Sequence, residues 1–274
     1  MNLFSDLQQL MIDYRFRPKK KLAQHFIISE ELIEKMIKEA DLKPKDTVLE
    51  IGPGLGFLTQ FMLEKSKVVG VELDPDMQEI LEKRFAKNKD FKLIKGNFLE
   101  TKLPKFTKLV SFPPYHISGD IMVKIFNEKF EIGLLVFQRE FCEKLIAEPG
   151  FKEYSYLSVL SDYLYSKEIL IKNIQPKSFY PKPEAYSSLL KLTRKKNVDS
   201  IKDFKKFAIF VKNLFRYKNK DLSNSLRNCL NETNLGVDYD KAFEIIQKEE
   251  LDGVKTYLLT TEDFVLIFKK IFQE

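Results

Sequence analysis

Glu50-Ile51-Gly52-Pro53-Gly54-Leu55-Gly56 is the stretch that decides the fold of this chain. It continues the apolar run Thr47-Val48-Leu49, which has the composition of a short buried strand, and a helical pattern follows from Leu58 to Lys65. Glycines allow the sharp turn between the two and remove side chains that would keep a ligand away from the backbone. The stretch therefore predicts a strand, a ligand-binding turn and a helix in direct succession.

The same rhythm of short apolar strands and amphipathic helices continues on both sides of the turn. The sequence predicts helices at 30–41, 76–87 and 119–128, and strands at 68–73, 91–94, 108–111 and 133–137. A helical pattern then runs from 137 to 160, and two apolar strands flank a proline-rich turn at 175–183, the second ending at 187–192. Such alternation is typical of a mainly parallel sheet covered by helices on both faces. The predicted fold class is α/β.

The strand patterns stop at a basic segment near residue 195. After Arg194-Lys195-Lys196-Asn197 the whole sequence has the pattern of amphipathic helices. A chain of 274 residues, 44% of them apolar, is long enough for one large domain and one smaller domain, each with its own core. We therefore predict an α/β domain at 1–195 and an all-helical domain at 196–274.

The composition indicates in which cellular compartment the protein is expected and whether a metal site is expected. No stretch of about 20 residues lacks charge, and the amino terminus, with Asp6 and Asp13, has no signal-peptide apolar run. These features predict a soluble, cytoplasmic protein with no membrane segment. Cys142 and Cys229 lie far apart and without metal-ligand spacing, so we expect buried free thiols and no metal site.

Positive charge is concentrated in two parts of the chain. The net charge is +6, and the stretch from Lys202 to Arg227 alone contains eight lysines and arginines against two aspartates. A second basic cluster contains Arg15, Arg17, Lys19, Lys20 and Lys21. Clusters of this kind favour polyanions such as nucleic acid, because binding releases counterions. A solvated helix face would have the same composition, so both interpretations stay open.

A glutamate at the end of the next strand limits which ligands the glycine-rich turn is expected to bind. Glu72 lies in the strand at 68–73, about 20 residues after the turn, where a carboxylate can accept hydrogen bonds from both ribose hydroxyls of a nucleoside. A dinucleotide such as NAD is the first candidate, but its pyrophosphate turn has the spacing G-x-G-x-x-G. Here the spacing is G-x-G-x-G, which is the one associated with S-adenosylmethionine.

Together these motifs resemble those of the KsgA family, which dimethylates two adjacent adenosines near the 3′ end of small-subunit ribosomal RNA. The resemblance extends from about Arg17 to at least Arg227, and it is most similar to archaeal members. The blocks that carry it are Lys20-Lys21-Leu22-Ala23-Gln24-His25-Phe26, Glu50-Ile51-Gly52-Pro53-Gly54-Leu55-Gly56-Phe57-Leu58-Thr59, Val71-Glu72-Leu73-Asp74, Pro114-Tyr115-His116-Ile117-Ser118, Gln138-Arg139-Glu140-Phe141, Ala147-Glu148-Pro149-Gly150, Tyr154-Ser155-Tyr156-Leu157-Ser158 and Phe179-Tyr180-Pro181-Lys182-Pro183.

The resemblance implies a fold, a cofactor and a partner. The fold would be the doubly wound, Rossmann-like sheet of class I methyltransferases with a small all-helical carboxyl-terminal domain, and the cofactor would be S-adenosyl-L-methionine. The partners would be small-subunit rRNA and the assembling small ribosomal subunit, and we further expect a monomer. The implied cofactor-binding residues are His25, Ile27, Gly52, Gly54, Glu72, Asn97 and Phe112. The implied RNA-binding residues are Lys19, Lys20, Lys21, Arg216, Lys218 and Lys220.

Two positions depart from the family's pattern. Asn97 replaces an acid near the adenine amine of the cofactor, although its amide oxygen can still accept a hydrogen bond. The catalytic motif Asn-Leu-Pro-Tyr becomes Phe112-Pro113-Pro114-Tyr115. Phe112 cannot accept a hydrogen bond from the target amine, whereas the Pro113 carbonyl and the Tyr115 ring remain. Loss of one such preorganised group typically lowers a rate by about 100- to 1000-fold.

Two further side chains near the motif have alternative roles. By the resemblance, Tyr115 and Phe179 would stack on the two faces of the extruded target adenine, but Phe179 could instead cap the core beside the rigid prolines. Ser111 could replace the missing acceptor only if the loop shifted its register, because one step along a strand turns a side chain to the opposite face.

The sequence leaves two main hypotheses for function. The first is a small-subunit rRNA adenine N6-dimethyltransferase with a role in ribosome biogenesis, favoured by the glycine turn and Glu72. The second is a catalytically weak or inactive ribosome assembly factor that keeps the methyltransferase fold, favoured by Phe112. A DNA adenine methyltransferase, suggested by the wording Pro-Pro-Tyr, is disfavoured by the resemblance of the carboxyl-terminal sequence to KsgA.

Overall fold

A seven-stranded sheet organises the amino-terminal part of the chain. The structure is a computed structural model, and it describes residues 2–196, 198, 201–233 and 235–273. The strands are β1 (Phe26–Ile27), β2 (Thr47–Ile51), β3 (Lys67–Glu72), β4 (Phe91–Lys95), β5 (Lys108–Ser111), β6 (Ile132–Gln138), β7 (Tyr165–Ile174), β8 (Phe179–Tyr180) and β9 (Ser187–Arg194). The helices are α1 (Leu3–Asp13), α2 (Glu30–Ala40), α3 (Phe57–Leu63), α4 (Pro75–Arg84), α5 (Ser118–Ile125), α6 (Arg139–Ile146), α7 (Tyr156–Leu164), α8 (Phe204–Leu214), α9 (Leu222–Glu232), α10 (Tyr239–Lys248) and α11 (Thr261–Phe272).

The strand order of the large sheet is β4-β3-β2-β5-β6-β9-β7. The first five strands pair in parallel, and β9 pairs antiparallel with β6, from Ile132 opposite Thr193 to Gln138 opposite Ser187. The predicted α/β class with a mainly parallel sheet is confirmed. Because parallel strands have their carboxyl ends at the same edge, the loops after β2, β3, β4 and β5 meet there.

The apolar strand residues explain why β2 lies at the centre of this sheet. Val48 and Leu49 of β2 and Val68 of β3 are fully buried, and their register is Val48 opposite Val68 and Leu49 opposite Val69. Strands buried on both faces have continuous apolar runs rather than an alternating pattern. Burial of such side chains contributes roughly 1.5–3 kcal/mol each. This packing fixes the strand from which the glycine-rich turn emerges.

By residue contacts the chain forms two compact units. The first spans positions 1–142 with 167–194, and the second spans positions 143–166 with 195–274. Positions 143–166 therefore group with the carboxyl-terminal helices, a difference from the division predicted at residue 195. The division into domains 1–195 and 196–274 stays a prediction.

The second unit is helical in its described carboxyl-terminal part and has an aromatic core. Phe207 of α8 and Phe268 of α11 are fully buried, with ring centroids 5.2 Å apart and ring planes at 71°. Side chains also start these helices: Asp203 accepts a hydrogen bond from the Lys206 N–H, and Thr260 with Asp263 forms a capping box. The core is apolar, and side chains cap the starts of α8 and α11.

The helical pattern predicted from 137 to 160 is wrong in detail. Strand β6 continues to Gln138, α6 ends at Ile146 and α7 begins only at Tyr156. Pro149 lacks a backbone N–H, and Gly150 has a φ of 87°, a left-handed conformation that favours glycine. A capping box of Ser155 and Ser158 then starts α7. The two helices are therefore separate elements.

Two structural features have no counterpart among the predicted elements. Helix α1 precedes the first predicted helix, and its Leu3 and Leu7 are buried. Strands β1 and β8 form a two-stranded antiparallel sheet in which Phe26 lies opposite Tyr180 and Ile27 opposite Phe179. Both cysteines are buried, as predicted, and neither Cys142 nor Cys229 forms a disulfide in the part of the chain that the structure describes. Within the described residues, no helix is long and apolar enough to cross a membrane.

Candidate active site

The glycine-rich turn after β2 has a backbone that requires glycine. Gly52, Gly54 and Gly56 have φ angles of 66°, 58° and 78°, all in the left-handed region. A Cβ atom at Gly54 would lie 3.2 Å from the Phe26 ring, which is closer than an ordinary contact. The Gly52 N–H donates to the Val71 carbonyl at 2.9 Å, which ties the turn to β3. The turn therefore presents bare backbone at the carboxyl edge of the sheet.

Glu72, at the end of β3, is fixed against this turn. Its Oε2 accepts a hydrogen bond from the Gly54 N–H, and its Oε1 accepts one from the Asp74 N–H, both at 2.9 Å. Burial raises the pKa of Glu72, while these two backbone hydrogen bonds oppose the rise. Each carboxylate oxygen has a second lone pair, so both can still accept from a ligand hydroxyl.

Glu50 is a second buried carboxyl group at this edge, and sequence reasoning did not assign it to the site. The Thr59 hydroxyl donates to its Oε2 at 2.5 Å, and burial raises the pKa of Glu50 to about 8. Its position as the first residue of the glycine motif was the signal that could have found it. At neutral pH Glu50 is largely protonated, so it contributes a polar but uncharged wall.

The aromatic residue Phe112 lies between two other rings. Its ring stacks on Phe179, with centroids 4.5 Å apart and planes at 27°, and it meets Tyr115 edge-on at 5.6 Å. Phe179 is fully buried. A base could reach the face of Phe179 that Phe112 covers only if Phe112 moved, so the role of Phe179 in base stacking stays a prediction.

Tyr115 is held by a hydrogen bond from the antiparallel part of the sheet. Its hydroxyl is hydrogen-bonded to the hydroxyl of Ser187, the first residue of β9, and burial raises the pKa of Tyr115 well above its usual value. The Ser111 hydroxyl is also engaged, because it donates to the Ile51 carbonyl at 2.7 Å and accepts from the Ile51 N–H at 3.1 Å. Ser111 is fully buried against Ile51 and does not line the cavity that contains Phe112.

The amino-terminal arm, defined as residues 19–27, carries His25 and Ile27 to the same site. Pairing of β1 with β8 places Ile27 opposite Phe179. His25 Nδ1 lies 2.6 Å from the Pro181 carbonyl oxygen, and the His25 ring is stacked near Tyr115 at a centroid distance of 6.1 Å. The arm thus contacts the glycine-rich turn through Phe26 and the proline-rich turn through His25.

Asn97, after β4, is partly committed to its own loop. Its Oδ1 accepts a hydrogen bond from the Leu99 N–H at 3.0 Å, and its Nδ2 donates to Glu100 Oε1 at 2.9 Å. This arrangement is an Asx turn, which holds the loop in place. One lone pair of Oδ1 remains for a ligand donor.

One cavity joins these groups. It is lined by every residue predicted to bind the cofactor and by the whole catalytic motif, namely His25, Ile27, Gly52, Gly54, Glu72, Asn97, Phe112, Pro113, Pro114 and Tyr115. Glu50, Leu73, Phe98 and His116 also line it, whereas Phe179 is not part of its wall. A bare glycine backbone, a carboxylate with free lone pairs and apolar walls fit a nucleoside cofactor such as S-adenosylmethionine.

Arg84 holds the glycine-rich turn through a backbone carbonyl, and the sequence analysis did not identify this residue. Its guanidinium donates a hydrogen bond to the Leu55 carbonyl of the turn and another to Gln60 Oε1 at 3.1 Å. The guanidinium carbon also lies 5.2 Å from the centre of the Phe57 ring. Arg84 is thus a positioning residue for the turn, and the sequence offered no signal for it beyond an arginine at the end of a helix.

The predicted RNA-binding residues of the amino-terminal arm differ in their surroundings. Lys20 and Lys21 are exposed on a short 3₁₀ helix. The Lys19 ammonium lies 2.5 Å from Asp74 Oδ1 and 2.7 Å from Asp76 Oδ2, and hydrogen bonds with these carboxylates raise its pKa. Two carboxylates therefore neutralise Lys19, and its contact with RNA stays a prediction.

The predicted RNA-binding residues of the second unit also have protein partners. Arg216 forms an ion pair with Glu232 at 2.6 Å, and Lys218 donates to the Lys152 carbonyl at 3.0 Å. Lys220 is exposed, and its ammonium lies 5.1 Å from the centre of the Tyr217 ring. Among the three, Lys220 offers its charge most directly to solvent.

The fold and this cavity define a class I S-adenosylmethionine-dependent methyltransferase. Residues 15–269 match the family model described as ribosomal RNA adenine dimethylase, and the chain belongs to that family. The resemblance to KsgA is thereby confirmed.

Curated relatives agree along most of the chain. A probable ribosomal RNA small subunit methyltransferase A of Pyrococcus abyssi is 34% identical over 256 residues, 93% of this chain and 92% of the relative. A protein of the same description from Methanococcoides burtonii is 38% identical over 204 residues, 74% of this chain and 75% of the relative. A solved dimethyladenosine transferase from Plasmodium falciparum is similar with a TM-score of 0.78 at 24% identity, covering 90% of this chain and 98% of that one. The last comparison shows the shared fold.

Proposed function

We propose that this protein transfers methyl groups from S-adenosylmethionine to N6 of two adjacent adenosines near the 3′ end of small-subunit rRNA. The observation that carries the proposal is the single cavity, which brings the glycine-rich turn and Glu72 together with Pro113, Pro114 and Tyr115. The names of the archaeal relatives support small-subunit rRNA as the substrate. A dimethylating activity follows from the family description.

The cofactor would be held by the residues at the carboxyl ends of β2, β3 and β4. Glu72 accepts hydrogen bonds from the ribose hydroxyls, the Gly52–Gly54 backbone approaches the cofactor closely, and Asn97 Oδ1 accepts from the adenine amine. Ile27 and His25 of the amino-terminal arm close the cavity. When bound, S-adenosylmethionine supplies an electrophilic methyl group to the target nitrogen.

The target adenine would be bound by the motif after β5. The enzyme extrudes the base, because the N6 amine cannot reach the cofactor inside a stacked helix. The Tyr115 ring stacks on the base, and its hydroxyl bond to Ser187 keeps the ring in place. The Pro113 carbonyl accepts a hydrogen bond from the amine and orients its lone pair, which ring delocalisation otherwise weakens.

The assembly-factor hypothesis, which Phe112 suggested, is not favoured. Relatives that align along most of the chain are named as methyltransferases, and the cavity keeps the complete glycine-rich turn and Glu72. A protein that had lost catalysis would not require cofactor binding, and therefore would not require three glycines in a left-handed conformation beside a buried carboxylate.

The partner would be the assembling small ribosomal subunit, and the protein would act as a monomer in the cytoplasm. The exposed side chains of Lys20, Lys21 and Lys220 support contact with phosphate groups. The family to which the chain belongs supports a substrate in the ribosomal RNA.

Methyl transfer to isolated subunits tests the proposal. Purified wild-type protein is incubated with labelled S-adenosylmethionine and either small or large subunits from a strain that lacks the two dimethyladenosines. We expect label in small subunits alone and a loss of at least about 100-fold for Tyr115→Ala, because the base loses its stacking partner. Label in large subunits, or none in either, would contradict the proposal.

A further inference from the structure

Replacement of the motif asparagine by Phe112 leaves the target amine one acceptor short. An unmethylated N6 amine has two N–H groups, and the Pro113 carbonyl accepts from one of them. Other polar side chains at the motif are engaged elsewhere: the Ser111 hydroxyl with the Ile51 backbone, the Tyr115 hydroxyl with Ser187, and Glu50 with Thr59. These contacts hold the three side chains in place within the protein, so we consider a different element for the second acceptor.

His25 is a candidate for that acceptor because its ring lies in the same cavity as the catalytic motif. Its ring lies beside the Tyr115 ring, at 6.1 Å between centroids and 29° between planes. Strand β1 starts at the next residue, Phe26, which pairs with Tyr180. The ring is thus positioned by backbone pairing on one side and by an aromatic contact on the other.

The hydrogen bond of His25 sets its tautomer. A carbonyl oxygen only accepts, so the 2.6 Å contact between Nδ1 and the Pro181 oxygen places the ring hydrogen on Nδ1. In the neutral ring Nε2 then carries a lone pair, and within the described residues it has no hydrogen-bond partner. His116, the second histidine of the chain, also lines the cavity, but it is exposed to solvent, whereas His25 is partly buried. His25 is therefore the better-placed acceptor of the two.

We propose that His25 Nε2 accepts the second hydrogen bond of the target amine, the one that Phe112 cannot accept. The inference rests on the proposed function. As the nitrogen gains the methyl carbon, the carbon–sulfur bond breaks with its electron pair on sulfur, and one proton leaves N6. His25 Nε2 takes that proton and releases it to water, so the ring returns to its neutral form. This assigns His25 to the target base, beyond its expected place in the cofactor pocket.

The tautomer can be read directly in the intact protein. Nitrogen-15 NMR distinguishes protonated from unprotonated ring nitrogens, and the chain has two histidines, so a His116→Asn variant assigns the signals. We expect a protonated Nδ1 and an unprotonated Nε2 for His25. The opposite tautomer would overturn the inference, because Nε2 would then be a donor.

Paired variants test the role in transfer. His25→Phe removes the acceptor and keeps a ring, whereas His25→Gln keeps an acceptor. At saturating S-adenosylmethionine, where a change in cofactor affinity does not affect the rate, we expect His25→Phe to lower kcat by about 100-fold and His25→Gln to retain most of it; calorimetry measures the Kd for S-adenosylmethionine separately. A loss of activity that saturating S-adenosylmethionine abolishes would overturn the inference.

A second background separates this role from a structural one. In a Phe112→Asn protein the motif acceptor is restored, so His25→Phe should then cost less than about 10-fold. Equal losses in both backgrounds would contradict the inference. Failure of the wild-type protein to methylate small subunits would contradict the proposed function, whereas an active wild type with an unaffected His25→Phe variant would overturn the role of His25 alone.

Discussion

Phe112 extends the aromatic wall of the site instead of supplying a polar group to it. Its ring packs on the fully buried Phe179 and against the edge of Tyr115. Aromatic pairs of this kind contribute about 0.5–1.5 kcal/mol beyond the burial of their surface. The residue therefore stabilises the motif while it removes a hydrogen-bond acceptor, and these two effects can be separated by substitution.

Phe112→Asn should raise the rate of methyl transfer and lower stability. The amide restores the acceptor of the motif, so in a His25→Phe background, which has no other acceptor for that N–H group, we expect a gain of about 10- to 100-fold in initial rate. Loss of the ring contacts should lower the free energy of unfolding by about 1–3 kcal/mol. Initial rates and urea unfolding measure the two effects. Phe112→Leu is the matched control, because it also removes the ring but adds no acceptor. An equal gain for Phe112→Leu would show that space, rather than hydrogen bonding, limits the reaction.

Glu50 should make the stability of the protein depend on pH. Its pKa is about 8 in the folded state and ordinary in the unfolded chain, so between roughly pH 4.5 and 8 the folded state binds the additional proton. Stability contributed by Glu50 is then present at low pH and is lost as the pH rises, by about 1.4 kcal/mol for each pH unit. Urea unfolding of wild type and Glu50→Gln across this range measures the difference. A difference that does not change with pH would contradict the prediction.

At the scale of elements, helices and strands with several apolar residues could be predicted from the sequence. Helix α2 and strands β2 to β6 have patterns long enough to read, and their existence and order follow the prediction. Strands β1 and β8 have two residues each and pair across more than 150 positions, so periodicity could not indicate them. The hydrogen bonds of His25 with Pro181 and of Arg84 with Leu55 also join residues that are distant in sequence, so they could not be predicted either.

The amino-terminal arm is fastened to the start of α4 through Asp74. This buried side chain caps the helix through the Asp76 N–H and also accepts from Lys19 Nζ at 2.5 Å and Gln24 Nε2 at 2.6 Å. The arm also places His25 and Ile27 in the wall of the cavity. We therefore expect the hydrogen bonds of Asp74 to influence cofactor binding.

Asp74→Asn should loosen the arm without removing the helix cap. The amide can still accept from the Asp76 N–H but loses the ion pair with Lys19, so we expect the Kd for S-adenosylmethionine to rise by roughly 3- to 10-fold. Calorimetry measures the affinity, and hydrogen exchange should increase in residues 19–27. Asp76→Asn, at a half-exposed carboxylate that also contacts Lys19, is the matched control and should change little. Equal effects of the two variants would contradict the role of Asp74.

At the scale of the whole molecule, the positions of the basic clusters could be predicted from the sequence, but not which of their side chains are available to bind RNA. The sequence located both basic clusters, but ion pairs with Asp74, Asp76 and Glu232 neutralise Lys19 and Arg216. Partners of this kind are distant in sequence, so composition could not reveal them. The exposed Lys20, Lys21 and Lys220 remain the best candidates for contact with phosphate groups.

The salt dependence of RNA binding should report the contacts of Lys20 and Lys21. If each lysine contacts one phosphate, as we propose, replacing both by alanine should make the slope of log K against log salt less steep by about 1.4 to 1.8. Fluorescence titration with small-subunit rRNA at several salt concentrations measures this slope. Lys87→Ala with Lys89→Ala, which removes the same charge from an exposed turn, is the control. Identical slopes for the two double variants would show that long-range charge alone is responsible.

Mass spectrometry of the rRNA gives the most direct test of catalysis by this chain. Small subunits that lack the modification are incubated with purified wild-type protein and S-adenosylmethionine, and the 3′-terminal rRNA fragment is then analysed. We predict N6,N6-dimethyladenosine at two adjacent positions, formed despite Phe112. Stable binding of the protein to these subunits with no methylated adenosine in the fragment would contradict the proposed function and would identify an assembly factor that keeps a methyltransferase fold.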